Sequence, residues 1–187
     1  MYILKPLYPL TEHELIKGCV NDNTTCQRVL FDKYAGKFMS ICLRYANDTM
    51  EAEDMLQEGL LRIFKHINQF KFEGSFEGWM RRIVVNVALK HLQKKRLHFS
   101  EIKDDNNNDP QLPSYAYSSL GQEELMKLIN QLPDGYRIVF NLNVIEGYSH
   151  DEIAGMLKIQ ASTSRSQLVK ARKMLQSQIL QLEKIAV

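Results

Sequence analysis

The stretch from Ser149 to Leu175, SHDEIAGMLKIQASTSRSQLVKARKML, leaves little freedom in how it can fold. Ser149 with Glu152 three residues on forms a capping box, in which each side chain satisfies an otherwise orphaned backbone N–H at a helix start. Ile153, Ala154 and Leu157 continue as an apolar stripe at helical spacing. A residue as small as Ala154 lets a second helix cross closely. Lys158-Ile159-Gln160 interrupts the pattern, and a second helix starts near Ala161 to Thr163. The pattern is that of a helix-turn-helix.

That second helix has two faces. Ala161, Ser164, Leu168, Ala171 and Leu175 recur at three- and four-residue steps and point to the first helix and its neighbours. Arg165, Ser166, Val169, Lys170 and Lys173 fall on the other side. No acidic residue occurs from Ala161 to Leu182, whereas Arg165, Lys170, Arg172 and Lys173 are basic. Such a helix suits a DNA major groove: arginine pairs with guanine through two hydrogen bonds, serine bonds base edges or phosphates, and lysine neutralises phosphate.

Charge is unevenly distributed along the 187 residues. Residues 1–97 carry 15 basic and 11 acidic side chains, residues 98–124 carry 1 and 6, and residues 125–187 carry 8 and 5. Two basic blocks flank an acidic connector, the layout expected of two nucleic-acid-facing modules on a tether. No apolar run approaches the roughly 20 residues that span a bilayer. The N-terminus, MYILKPLYPLTEHE, lacks the basic and long apolar segments of a signal peptide. A cytoplasmic protein without membrane insertion is expected. Cys19, Cys26 and Cys42 are odd in number and lack paired-ligand spacing, so reduced, buried thiols are expected and a metal site is not. No nucleophile–base constellation and no phosphate-binding glycine loop is present, and neither an enzyme nor a cofactor is expected.

Taken in order, the chain reads as helices throughout. Thr11 and Glu14 form a capping box for a first helix that stops near Asn21-Asp22-Asn23. A second runs from Thr24 or Thr25 to about Ala46, with Val29, Leu30, Tyr34, Phe38, Ile41, Cys42 and Tyr45 inward. Asp48 or Thr49 caps a third, with Ala52, Met55, Leu56, Leu60, Ile63, Phe64 and Ile67 inward and Asp54, Gln57 and Glu58 clustered outside. Phe70 to Trp79 holds three phenylalanines, a tryptophan and two glycines in ten residues and reads as an aromatic-rich turn; a helix resumes at Met80 and ends in a basic run at Arg96. Aromatic rings beside a basic helix suit single-stranded nucleic acid, although most of these rings are expected to pack the core. His98 to Gly121, with Asp104-Asp105-Asn106-Asn107-Asn108-Asp109-Pro110, cannot build a core and reads as a linker. Helices return at Gln122: Leu125, Leu128, Ile129 and Leu132 form one stripe, Pro133 ends it, and Asp134 caps the next, which runs to Ile145.

The segments AEDMLQEGLLRIFKHINQF, FEGSFEGWMRRIVVN, LPDGYRIVFNLNVIEGYSHDEIAGML and STSRSQLVKARKML together resemble a bacterial RNA polymerase sigma factor of the compact extracytoplasmic-function class. The resemblance covers almost the whole chain. It implies an all-α fold of two small helical domains: 1–97, similar to sigma region 2, and 122–187, similar to the region 4 helix-turn-helix, joined by a flexible acidic linker over 98–121. It also implies roles. Asp54, Gln57 and Glu58 would bind the clamp helices of core polymerase, whose flap is a further contact implied. Trp79, Arg82, Asn86 and Lys90 would contact the melted non-template strand of the −10 element, with a base flipped into a pocket near Gly74. Arg165, Ser166, Val169, Lys170 and Lys173 would read the duplex −35 element. An anti-sigma factor is the further partner implied. The turn position that the family usually fills with glycine is Lys158 here, which must accept a left-handed backbone or reshape the turn. A stand-alone helix-turn-helix regulator is the alternative; it would leave Trp79 and Asn86 without a role. A pure interaction scaffold would show no DNA dependence.

Overall fold

The computed structural model describes residues 10–95 and 121–185. All regular structure among them is helical. The expected linker, Gly121 excepted, lies outside the described residues, as does the basic end at Arg96.

The first unit holds four helices: α1 (Glu12–Val20), α2 (Thr24–Tyr45), α3 (Thr49–His66) and α4 (Phe76–Lys95). Each starts where a side chain can take an orphaned N–H. Thr11 and Glu14 form the expected box on α1, Asn23 Oδ1 accepts from Thr25 and Cys26 N, and Asp48 Oδ1 accepts from Glu51 N at 2.8 Å. Tyr34, Phe38, Met55, Ile63, Phe76 and Met80 form a fully buried centre to which every one of α2, α3 and α4 contributes. Each such side chain is worth roughly 1.5–3 kcal/mol of transfer free energy. Gly59 lets α3 lie close on α4, since a Cβ there would stand 3.2 Å from Val84 Cγ2.

Two expectations for this unit need correction. Val29 is 39% exposed. It sits one residue, roughly 100°, behind Leu30 and so falls outside the buried arc. The aromatic stretch is also less of a turn than its composition suggests: α4 begins at Phe76, not Met80. Ser75 makes this start possible, its Oγ accepting from Gly78 N at 3.2 Å and its carbonyl from Trp79 N at 3.0 Å. A cap outweighs the helix-breaking tendency of one glycine.

The second unit contains α5 (Gln122–Asn130), α6 (Asp134–Phe140), α7 (His150–Leu157) and α8 (Ala161–Ile185). Leu128, Ile129 and Leu132 pack on Ala171, Leu175 and Ile179 of α8. Leu125 departs from its expected stripe. It lies in the first turn of α5 and stays exposed, while Met126 packs against the cluster. Asp134 does not cap α6 either. Pro133 holds the cap position with an extended backbone, and Asp134 takes the first helical position and pairs with Arg137 at 2.9 Å. Arg137 is nearly buried and donates through Nη1 to the Asn130 carbonyl at 3.2 Å, tying the end of α5 to α6; burial pulls its guanidinium below the usual arginine range. Beyond Phe140 the helix widens to π geometry over Asn141–Ile145.

Candidate nucleic-acid interface

The helix-turn-helix forms as the sequence implies. Ser149 Oγ accepts from Glu152 N at 3.3 Å, and Glu152 Oε2 accepts from Ser149 N at 2.9 Å. Lys158 ends α7 in the left-handed region, φ 57° and ψ 42°, and Ile159 N returns to the Ala154 carbonyl at 3.1 Å. The turn therefore keeps the shape that glycine would give it, with lysine bearing the strain. Ile153 is completely buried and Ala154 partly so.

On α8, Ser164, Leu168, Ala171 and Leu175 are buried, as expected, and Ala161 is half-buried. Arg165 and Ser166 are exposed, and Val169 is 51% exposed. Lys170 and Lys173 are half-buried on the flank of this face, whereas Arg172, which the face assignment passed over, is exposed. Arg165, Val169 and Arg172 share one stripe at steps of four and three. The helical period alone carried that signal. Ser166 Oγ donates to the Thr163 carbonyl at 3.0 Å, which leaves its lone pairs outward.

The first unit presents two surfaces. Along α4, Arg82, Asn86 and Lys90 are exposed on one stripe that continues to the half-buried Trp79. Trp79 stacks on Phe76 with centroids 5.9 Å apart and planes 12° from parallel, and Phe70 lies 5.7 Å away. The packed rings fix the tryptophan's orientation before anything binds. Phe72 is different: it is 49% exposed, has φ 59°, and its ring lies 4.7 Å from that of His13. A bulky residue in the left-handed region is a strained placement. Gly74 follows at φ 82°. Beside this turn a half-open groove of about 370 Å³ is lined by Ile16, Lys17, Val20, Asn21, Ile67, Asn68, Phe70 and Phe72.

On α3, Asp54 and Gln57 are exposed. Glu58 is more occupied. Its Oε1 pairs with Arg62 and its Oε2 lies 2.6 Å from His91 Nε2, so it bridges α3 to α4. The His91 hydrogen bond, with Arg62 adding to it against partial burial, holds the Glu58 carboxyl below the usual carboxylate range. Leu61, one turn beyond Gln57, is 65% exposed and extends the same face. Sequence periodicity assigned it to neither side. Among the described residues no group of three metal-liganding side chains occurs, and no helix is long and apolar enough to cross a membrane.

These features define an all-helical protein of two units, the second built on a capped helix-turn-helix with a basic outer face. Residues 30–98 match the family described as Sigma-70 region 2, and residues 122–175 match Sigma-70, region 4. The chain belongs to the sigma-70 family, in its extracytoplasmic-function class. It is 27% identical to the ECF RNA polymerase sigma factor SigE of Mycolicibacterium smegmatis, over 78% of this chain and 58% of that protein. With the ECF RNA polymerase sigma factor SigW of Bacillus subtilis it shares 28% identity over 82% of this chain and 88% of the relative. Its fold is similar to that of the sigma factor RpoE of Bartonella quintana, solved with the anti-sigma factor NepR, with TM-score 0.52 and 19% identity over 80% of this chain and 94% of the other. The helices α1 and the end of α8 extend beyond the matched regions.

Proposed function

We propose that this chain is a dissociable, non-catalytic subunit of bacterial RNA polymerase that directs initiation to promoters by reading their −35 and −10 elements. The observation that carries the reading is the pairing of two sigma regions in order with a helix-turn-helix whose outward face is basic. Residues 1–97 bind core polymerase and open the −10 element; residues 122–187 read the −35 element; residues 98–121 connect them. On α8, Arg165, Ser166 and Val169 face base edges, while Lys170, Arg172 and Lys173 serve the phosphates. On α4, Arg82, Asn86 and Lys90 follow the melted non-template strand from Trp79, and the groove beside Phe72 receives an unstacked base. Capturing that base must offset an unstacking cost of a few kcal/mol. Asp54, Gln57 and Leu61 form the face for the clamp helices, with Glu58 supporting it from behind, and the second unit meets the flap. The protein works in the cytoplasm, and an anti-sigma factor holds it inactive by covering the polymerase-binding surfaces.

Run-off transcription with purified core polymerase on fragments of the source genome tests this. Discrete new transcripts with shared upstream elements are expected. Duplex binding without polymerase and without transcripts would instead make the chain a stand-alone regulator. Arg165→Ala should cost roughly 1–3 kcal/mol of promoter discrimination, and unchanged selectivity in promoter competition would remove Arg165 from the reading set.

A further inference from the structure

The seam between α7 and α8 contains a polar contact. His150, the first residue of α7, has Nδ1 2.8 Å from Ser164 Oγ on α8. Ser164 is completely buried, in line with Leu168 and Ala171; His150 is half-buried. A hydroxyl sealed in such a seam is unfavourable unless paired, and an alanine or valine there would need no partner. The hydrogen bond therefore does something that apolar packing at this position would not.

We propose that His150 and Ser164 are a positioning pair that sets the angle at which α8 presents its reading face, and so determine promoter specificity. The inference rests on the reading of α8 as the −35 reader. Dispersion contacts along Leu168, Ala171 and Leu175 tolerate small rotations of α8 about its axis, whereas a hydrogen bond is directional and weakens steeply as its angle closes. Ser164 directly precedes Arg165 and Ser166, so a rotation at Ser164 is carried to the first two outward side chains. A bidentate arginine contact demands planar alignment with a base edge, and a small turn of the helix spoils it. Phosphate contacts by flexible lysines survive the same turn. Lys158 makes the pair matter more. A non-glycine residue at φ 57° stores strain in the connecting turn. The backbone bond from Ile159 N to the Ala154 carbonyl holds the end of α7. The His150–Ser164 bond joins the start of α7 to the first turns of α8 and braces the strained turn from the other side. Both neutral tautomers of His150 can make the bond, since the serine hydroxyl can donate or accept.

The test uses the full chain with core polymerase on a duplex library randomised across the upstream element. The wild-type chain first selects its preferred fragment, which is then competed against a scrambled fragment. Ser164→Ala and His150→Phe should each lower that discrimination about fivefold, the worth of one neutral hydrogen bond, while binding to the scrambled fragment is unchanged. The double variant should be no worse than either single one, because both remove the same contact. His150→Asn, whose amide stands where Nδ1 stands, should recover most of the loss. Two results would overturn the proposal: singles that add in the double variant, or an equal fall for selected and scrambled DNA, which marks general packing damage. Ser164→Val, which fills the seam without a hydroxyl, guards against misreading a folding defect: a well-folded variant with full discrimination also overturns it. A wild-type chain that selects no fragment at all would instead sink the promoter reading itself.

Discussion

Lys158 invites the most direct test of the backbone argument. A non-glycine residue in the left-handed region costs roughly 1–2 kcal/mol relative to its right-handed alternative. Glycine removes that strain but adds unfolded-chain freedom worth roughly 0.4–1 kcal/mol. Lys158→Gly should therefore stabilise the helix-turn-helix by about 0.5–1 kcal/mol. Lys158 is exposed and ends α7 with φ 57°, so nothing packed is lost. Lys158→Ala separates the side chain from the backbone: it keeps the strain and should stay within about 0.5 kcal/mol of the wild type, as surface substitutions do. The unit spans residues 121–185, a size at which each kcal/mol moves the midpoint by about 4–8 °C. The full chain can melt in two steps, so local hydrogen exchange is the cleaner assay. Peptides covering α7 and α8 should exchange about two- to fivefold more slowly in the glycine variant, where exchange reports opening free energy. An alanine variant as protected as the glycine variant would refute the account, since strain relief would then not be the cause.

Three other outcomes are expected. Burial pushes the Cys19 thiol up to about 11, with Cys26 adding to it, and the Cys42 thiol up to about 12. With a thiolate fraction at pH 8 on the order of one in a thousand or less, both should resist alkylation until the chain is unfolded in urea, and native-state labelling within minutes would contradict this. Glu58 ionises more readily folded than unfolded, so its tether between α3 and α4 is complete above the ordinary carboxylate value of 4.5 and is lost as pH falls through the lowered folded value. Glu58→Gln should thus lower the melting midpoint at pH 7, with a gap to wild type that narrows as pH falls below 4.5; a gap that persists unchanged would show that the loss does not come from the ionised carboxylate. Arg172→Ala should weaken duplex binding alike for all sequences and reduce the salt dependence by about one counterion, whereas a sequence-selective loss would make it a base reader.

Much of the fold follows from local sequence because its controls are local. Thr11 with Glu14, Ser149 with Glu152 and Asp48 act within one turn of chain, and their bonds form as their spacing implies. The buried face of α8 was legible for the same reason: Ser164, Leu168, Ala171 and Leu175 keep the helical period. Sequence spacing also brought Arg165, Ser166 and Val169 to one side, since neighbours on a helix face are decided by rotation per residue.

What lay beyond reach depended on which elements meet. Periodicity names a stripe but cannot say how far a neighbour covers it, so Val29 is exposed beside the buried Leu30, and Leu125 beside the partly buried Met126. Glu58 looks like an outward carboxylate until α4 brings His91 against it from 33 positions away. Phe70, Phe72, Phe76 and Trp79 are alike in composition, yet their packing buries Phe76, orients Trp79 and leaves Phe72 strained at the rim of a groove. Ser164 reads as one more small residue in an apolar stripe; only the approach of α7 gives its hydroxyl a histidine. Caps and faces are set by interactions a few residues long, which a linear chain already contains. Exposure, pairing and strain depend on contacts between distant segments, and these come into being only when the helices pack.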